Sequence, residues 1–225
     1  MTAALRATVA EFIGTLVLLA GIVGSGIMGE RLAQGNAALA LLANAAATAA
    51  LLYVLVSRFA ALSGAHFNPV VSLVAWLRGE LASRLLAAYV AAQCAGAVAG
   101  VVLAHAMFDL PLLQPGTHAR SGAAQWLSEA VATCGLLLTI LLGLRARPAA
   151  LPALVAAYIF AAYWFTASTS FANPAVTLAR ALTQTFAGIR PIDAPGFIAA
   201  QLAGTALALA LANLLLDRRP RDTAA

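Results

Sequence analysis

The sequence predicts an all-α membrane protein: six transmembrane helices plus two re-entrant half-helices, arranged as an inverted repeat. Three observations predict it. Hydrophobic residues make up 63% of the 225 and charged residues 9%, at a mean hydropathy of +0.92, whereas a soluble domain carries roughly 25% charged residues. The few charges divide the chain into apolar runs over 12–29, 32–57, 59–77, 85–108, 130–144, 148–179 and 194–216. Finally, three short patterns recur in the same order in both halves.

Composition also excludes whole classes. All 13 basic residues are Arg, scattered singly or in pairs between apolar runs, so no patch for nucleic acid is formed despite the net charge of +5. Cys94 and Cys134 sit inside apolar runs and suggest neither a disulfide framework nor a thiolate metal site. No nucleophile–base pair or metal-ligand cluster stands out. The expectation is therefore no catalytic residues, no cofactor and no metal, with the lipid bilayer as a partner.

A spanning helix needs about 20 residues, since a rise of 1.5 Å must cover roughly 30 Å. Six spans fit, near 8–28, 36–57, 84–106, 124–144, 149–167 and 195–216. The pieces near 59–77 and 168–182 are too short and too interrupted by Gly, Ser, Asn and Pro to be ordinary spans. Met1–Ala10 carries one Arg and no cleavage pattern, so the first apolar run reads as an uncleaved span. With both termini inside, nine arginines (Arg6, Arg58, Arg78, Arg84, Arg145, Arg147, Arg218, Arg219, Arg221) fall on the cytoplasmic side and four (Arg31, Arg120, Arg180, Arg190) outside. That imbalance predicts cytoplasmic termini.

The repeat is visible at three places. Glu11 to Thr15 matches Glu129 to Thr133, Asn68-Pro69-Val70 matches Asn173-Pro174-Ala175, and Gln93 to Gly96 matches Gln201 to Gly204. The single channel-like domain, 1–225, then divides into repeats 1–115 and 116–225. Each half holds an odd number of spans, so the second is inserted upside down. Short Pro- or Gly-interrupted segments at matching places in such repeats point to the functional site.

Asn is a strong N-cap and Pro suits the first helical position, so each Asn-Pro starts a helix. Ten residues from Asn68 to Leu77 cover about 15 Å, half a membrane. Two half-helices entering from opposite faces bring their N-termini, each worth roughly +0.5 charge, to the centre. A cation about 5 Å from both is repelled by roughly 3 kcal/mol at an effective dielectric of 20. The capping amides keep NH₂ groups for solute oxygens. Such a centre suits neutral oxygenated solutes and opposes protons and metal cations.

At these residues the chain resembles the aquaporin and aquaglyceroporin family. Ser63-Gly64-Ala65-His66-Phe67-Asn68-Pro69-Val70 and Phe171-Ala172-Asn173-Pro174-Ala175 are similar to its twin signature loops, and the likeness extends over nearly the whole chain. The resemblance implies a passive channel, a homotetramer with one pore per subunit, and a pore midplane at Asn68, Pro69, Val70, Asn173, Pro174 and Ala175. Counting from the motifs, it implies a selectivity filter of Thr48, Ala161, Ser170 and Val176. The usual filter Arg and aromatic are absent from those four positions, which implies a wide, Arg-free ring. Bacterial relatives with an aliphatic residue at the Arg position resemble those associated with arsenic handling, so the solutes expected are water, glycerol-like polyols and arsenous acid. The Lys-free, Ala- and Arg-rich composition suggests a bacterial inner membrane.

Further roles are expected, that of the glutamates from the same resemblance and the others from residue type and position. Glu11 and Glu129 are expected to fix the carbonyls of the re-entrant loops, and Gln93 and Gln201 to satisfy loop backbone. His66 is expected in the cytoplasmic vestibule and Arg180 at the outer mouth. Trp76, Trp126 and Trp164 read as interfacial anchors, and Gly14, Gly21, Gly24 and Gly26 as sites of close helix packing. The alternatives are a coupled secondary transporter on the same scaffold, for which midplane acidic pairs are wanting, a structural junction protein, and a strict water channel.

Overall fold

The computed structural model describes residues 1–216. Arg218, Arg219 and Arg221, which the arginine tally includes, lie outside the described residues. Among those described there are helices and no strands: α1 Ala3–Leu32, α2 Ala37–Ser63, α3 Pro69–Leu77, α4 Ser83–Met107, α5 Ala123–Ala146, α6 Leu151–Phe165, α7 Pro174–Arg180 and α8 Ala194–Leu215. Six stretches are long and apolar enough to cross a membrane: α1, α2, α4, α5, α6 together with the helical turn that precedes it from Pro148, and α8 together with the turn from Pro191. An even number of crossings puts both ends of the described chain on one face.

Local chemistry sets the boundaries. The Thr2 hydroxyl and the Asn36 amide oxygen accept the backbone N–H of Leu5 and Leu39, at 3.2 and 3.1 Å, capping α1 and α2. α2 runs past Arg58, where the charge had suggested an end, and stops at Gly64, whose φ of +87° is the left-handed C-cap that glycine adopts without strain. The first leftover piece is therefore helical to Ser63, then a loop, then α3. α3 and α7 are 9 and 7 residues long, about 14 and 10 Å at helical rise. Neither can cross a bilayer.

Helix packing relies on missing side chains. A Cβ at Gly96 would lie 2.4 Å from the Phe12 carbonyl oxygen, and one at Gly100 would lie 2.3 Å from that of Leu16. The equivalent contact in the second half puts Gly204 against the Ala130 oxygen at 2.3 Å. α1 thus lies backbone to backbone on α4, and α5 on α8, the close approach that small residues permit in a membrane. Gly14 serves differently from the helix-packing role expected: its vacant Cβ position is filled by the Phe67 ring, 2.0 Å away. Leu39, Leu42, Leu127, Val131, Leu202 and Leu207 point outward and are exposed, as side chains solvated by lipid do.

Adding one methyl group at the backbone contact should be costly. Gly100→Ala is expected to destabilise the protein by about 1–3 kcal/mol, read as a lowered midpoint of thermal unfolding in detergent by circular dichroism. Gly24→Ala, whose new Cβ would meet only the Phe108 ring at 3.4 Å, should leave the midpoint nearly unchanged.

Candidate functional site

Two loops interrupt the helices at the centre, 64–68 before α3 and 166–173 before α7. Each contains non-glycine residues in the left-handed region: Ala65 (φ +53°) and Phe67 (+49°) in the first, Thr169 (+60°), Ser170 (+51°) and Ala172 (+48°) in the second. Backbone so placed costs about 1–2 kcal/mol per residue and persists only where its surroundings enforce it.

Two buried carboxylates enforce it. Glu11 Oε1 accepts from the Ser63 hydroxyl and the His66 N–H at 2.6 and 2.9 Å, and its Oε2 from the Phe67 N–H and Gln93 Nε2 at 2.6 and 2.8 Å. Glu129 repeats the arrangement with the N–H groups of Phe171 and Ala172 at 2.8 and 2.9 Å and Gln201 Nε2 at 2.7 Å. Gln93 and Gln201 also donate to Ser72 and Thr177, both at 2.9 Å. The glutamates thus fix the loop carbonyls indirectly, through the neighbouring amides, and the expectation that Gln93 and Gln201 satisfy loop backbone is corrected. An ionised carboxylate only accepts, so Glu11 and Glu129 take the amide hydrogens, and Gln93 and Gln201 reach the half-helix hydroxyls.

The asparagines complete the centre. Asn68 Oδ1 accepts from the Val70 N–H at 3.1 Å, and Asn173 Oδ1 from Ala175 and Val176 at 3.0 and 3.3 Å. Each Nδ2 crosses to the other loop: Asn68 donates to the Ala172 carbonyl and Asn173 to that of Phe67, both at 2.8 Å. One of the two hydrogens on each amide is thus committed, so the group is only half as free as capping chemistry alone suggests.

A cavity of about 230 Å³ runs past this centre. Asn68 and Asn173 line it, but Pro69, Val70, Pro174 and Ala175 do not: Val70 and Ala175 are packed among the helices, 1% and 0% exposed, and their backbone N–H groups are taken by the asparagine side chains. Val71 is the wall residue instead. Toward the face bearing the termini the lining is apolar (Val74, Leu141, Leu144, Leu151) apart from Glu80 and His66. His66 bonds Ser72 Oγ through Nδ1 at 3.0 Å and stands edge-on to Tyr89.

At the other end Thr48, Ser170 and Val176 line the cavity, but Ala161 does not; it is exposed on α6. Two residues on, Tyr163 turns inward, 3% exposed, and its hydroxyl donates to Thr48 Oγ1 at 3.4 Å. Counting back from the motif overshoots here because the α6–α7 connection is two residues shorter than an ungapped count assumes, Tyr163 and not Ala161 being the residue that faces the cavity. This end of the cavity therefore carries an aromatic side chain. Nor is this end free of arginine: Arg180, 2% exposed, lines the same cavity. Its Nε donates to the Ala187 carbonyl, and its guanidinium carbon lies 3.4 Å from the Phe171 ring centroid. One helical turn beyond Val176, it reaches the cavity because the 181–193 loop folds back over α7.

A second buried guanidinium, unnoticed in the sequence beyond its charge, belongs to Arg120. Its Nε donates to the Gly188 carbonyl at 2.9 Å and its Nη1 to that of Ser168 at 3.2 Å, and it lies 5.1 Å from the same Phe171 ring. Burial lowers the Arg120 pKa to about 10, which leaves it charged at neutral pH. Burial, then Arg120 and Arg180, push His118 below the usual imidazole range. Asp193 anchors the loops by accepting the Arg120 backbone N–H at 2.8 Å and pairing with Arg190 at 2.8 and 3.0 Å. His105, on α4, ties Thr183 at 2.7 Å and the Leu112 carbonyl at 2.9 Å.

A family model described as Major intrinsic protein matches residues 1–165. Aquaglyceroporin AqpS of Rhizobium meliloti (strain 1021) is 60% identical over 212 residues, covering 94% of this chain and 91% of that protein. A probable aquaporin, TIP1-1 of Oryza sativa subsp. japonica, is 35% identical over 142 residues, 61% of this chain and 56% of that protein. Among solved structures, the aquaglyceroporin from Plasmodium falciparum superposes with a TM-score of 0.74 at 18% identity, over 94% of this chain and 95% of that one, a likeness of fold.

Truncating one carboxylate tests how the loops are held. Glu129→Ala orphans the buried N–H groups of Phe171 and Ala172, at about 1–3 kcal/mol each, so denaturation in detergent should show a loss of about 2–6 kcal/mol. Glu129→Gln keeps one acceptor oxygen and should lose clearly less.

Proposed function

The chain belongs to the major intrinsic protein family, and from that premise we propose that it conducts water and small uncharged solutes passively, glycerol-like polyols and arsenous acid among them. As a family member it is a multi-pass membrane channel and not an enzyme. The observation that carries the finer reading is the pair of central asparagines. Each keeps one N–H beyond its bond to the opposite loop, and both lie on the cavity wall at the N-termini of converging half-helices. Donors without acceptors, backed by positive potential, suit a neutral oxygenated solute and repel a cation.

The walls on either side support the same reading. Leu18, Ile22, Leu52, Val56, Leu137 and Val155 offer no hydrogen bonds, so a solute gives up its water there and regains partners at the centre. At the constriction Val176 leaves room that a longer side chain would fill, beside Thr48, Ser170 and Tyr163. The word aquaglyceroporin in the name of the R. meliloti relative agrees with solutes larger than water. A proton-coupled transporter is disfavoured because every oxygen of Glu11 and Glu129 is occupied by loop donors. We place the protein in a bacterial inner membrane with both termini cytoplasmic, six described arginines on that side against four opposite, as a homotetramer with a pore in each subunit. His66 then lies in the cytoplasmic vestibule and Arg180 at the outer mouth.

Proteoliposome swelling tests this. Water, glycerol and arsenous acid should enter faster than in protein-free vesicles, at rates indifferent to proton or sodium gradients; gradient-driven accumulation would favour the coupled transporter. Val176→Arg should reduce glycerol and arsenous acid flux severalfold while water falls less. Equal reductions for all three would remove Val176 from the selectivity machinery.

A further inference from the structure

The end of the cavity beneath the 181–193 loop has a charge imbalance that the passage of neutral solutes does not require. Arg120 and Arg180 flank one aromatic ring, yet among the described residues no carboxylate oxygen comes within 4.0 Å of a nitrogen of either guanidinium. The nearby acids are committed elsewhere: Glu129 to the loop amides and Gln201, and Asp193 to Arg190 and the Arg120 backbone. Arg120 spends its side chain on loop oxygens. Arg180 does so only through Nε; its Nη1 is buried with no hydrogen-bond partner. The hydroxyl of Ser170, also on the cavity wall, is likewise buried and unpartnered. A buried charged donor left unpaired is expensive. Two unpartnered donors on residues that line one cavity, one of them cationic, match an oxygen acceptor that carries negative charge.

We propose that Arg180 and Ser170 form a binding station for small oxyanions at the end of the cavity away from the termini. The proposal rests on the reading of the cavity as a conduit. The guanidinium is held on two sides, by the Ala187 carbonyl and by the face of Phe171, so its plane is fixed, and Nη1 on the remaining edge has no protein partner. Guanidinium edges recognise planar oxygen pairs with charge-assisted bonds. Ser170 adds a hydroxyl donor, and Arg120 adds long-range positive potential. A neutral polyol meets the same donors and passes. An oxyanion is held, and while it is held it occupies the path of the neutral solutes.

The test uses the full chain in proteoliposomes, with water flux measured in sodium nitrate and in sodium chloride at equal osmolarity. Nitrate is planar, presents three oxygens and stays ionised at neutral pH, so it does not cross the lipid as a neutral acid. Nitrate should slow water flux saturably, at least threefold, with half the effect at about 1–10 mM, an affinity fitting one charge-assisted contact pair. Arg180→Met should abolish the difference between the salts, and Ser170→Ala should raise the half-effect concentration severalfold. Equal flux in both salts for the wild type, or persistence of the nitrate effect in Arg180→Met, overturns the station. If Arg180→Met does not fold, an unchanged half-effect concentration in Ser170→Ala overturns it. Calorimetry of nitrate binding to detergent-solubilised protein separates the two readings: binding without water flux defeats the conduit, and flux without binding defeats the station.

Discussion

A polypeptide that abandons the helix at membrane depth must find partners for its amide hydrogens, because hydrocarbon supplies none. Here that requirement falls on two carboxylates. Glu11 and Glu129 each gather two consecutive loop N–H groups, and hydrogen bonds to a charged acceptor, worth about 1.5–3 kcal/mol each, offset the left-handed backbone beside them. The pinned N–H groups turn the carbonyls of Phe67 and Ala172 toward the opposite loop, where the asparagines find them. The asparagine geometry, the half-helix termini and the cavity between them all follow from where those carboxylates sit.

Much of this was legible in the sequence, for physical reasons. The six spans announce themselves because lipid tolerates few charges, and the two half-helices because Asn-Pro encodes a helix start in any solvent. Boundaries moved where a charge fell inside a helix: Arg58 lies within α2, since an arginine near a helix end can extend to the interface, and only Gly64 ends it. Roles that depend on hydrogen-bond direction were less accessible. That Glu11 and Glu129 need partners could be read from residue type, but their partners are N–H groups, a fact set by the chemistry of the anion and the path of the loop. The ring at the far end was misread at Ala161 because counting along the chain ignores the length of the α6–α7 connection; Tyr163 is the residue that faces in. Arg180 and Arg120 meet over Phe171 through a loop with no periodicity, which no pattern in the chain announces.

The two halves share a plan but not an outcome. Beside the first loop, His66 is tied to Ser72 and set against Tyr89, and the wall below is mostly aliphatic. Beside the second, two guanidiniums surround Phe171, with His105 and Asp193 bracing the covering loops. Duplication gives the centre its near-symmetry, while the loops 109–122 and 181–193, which do not match each other, give the cavity two chemically different ends. Selectivity by charge and size can then change at one end without disturbing the loop–carboxylate framework in the middle.

The crossed asparagine bonds also bear on how the chain is made. Asn68 and Phe67 find their partners in Ala172 and Asn173, residues synthesised roughly 105 positions later. At about 5–20 residues per second, the first loop waits on the order of 5–20 s in the insertion machinery with its amide and carbonyl unmatched. Both members of the α1–α4 pair, which Gly96 and Gly100 bring into backbone contact, are synthesised before the second loop. Neither repeat is a finished unit by itself. The ribosome delivers the lock and the key in sequence, and the centre of the protein closes only when the second half has been threaded in upside down beside the first.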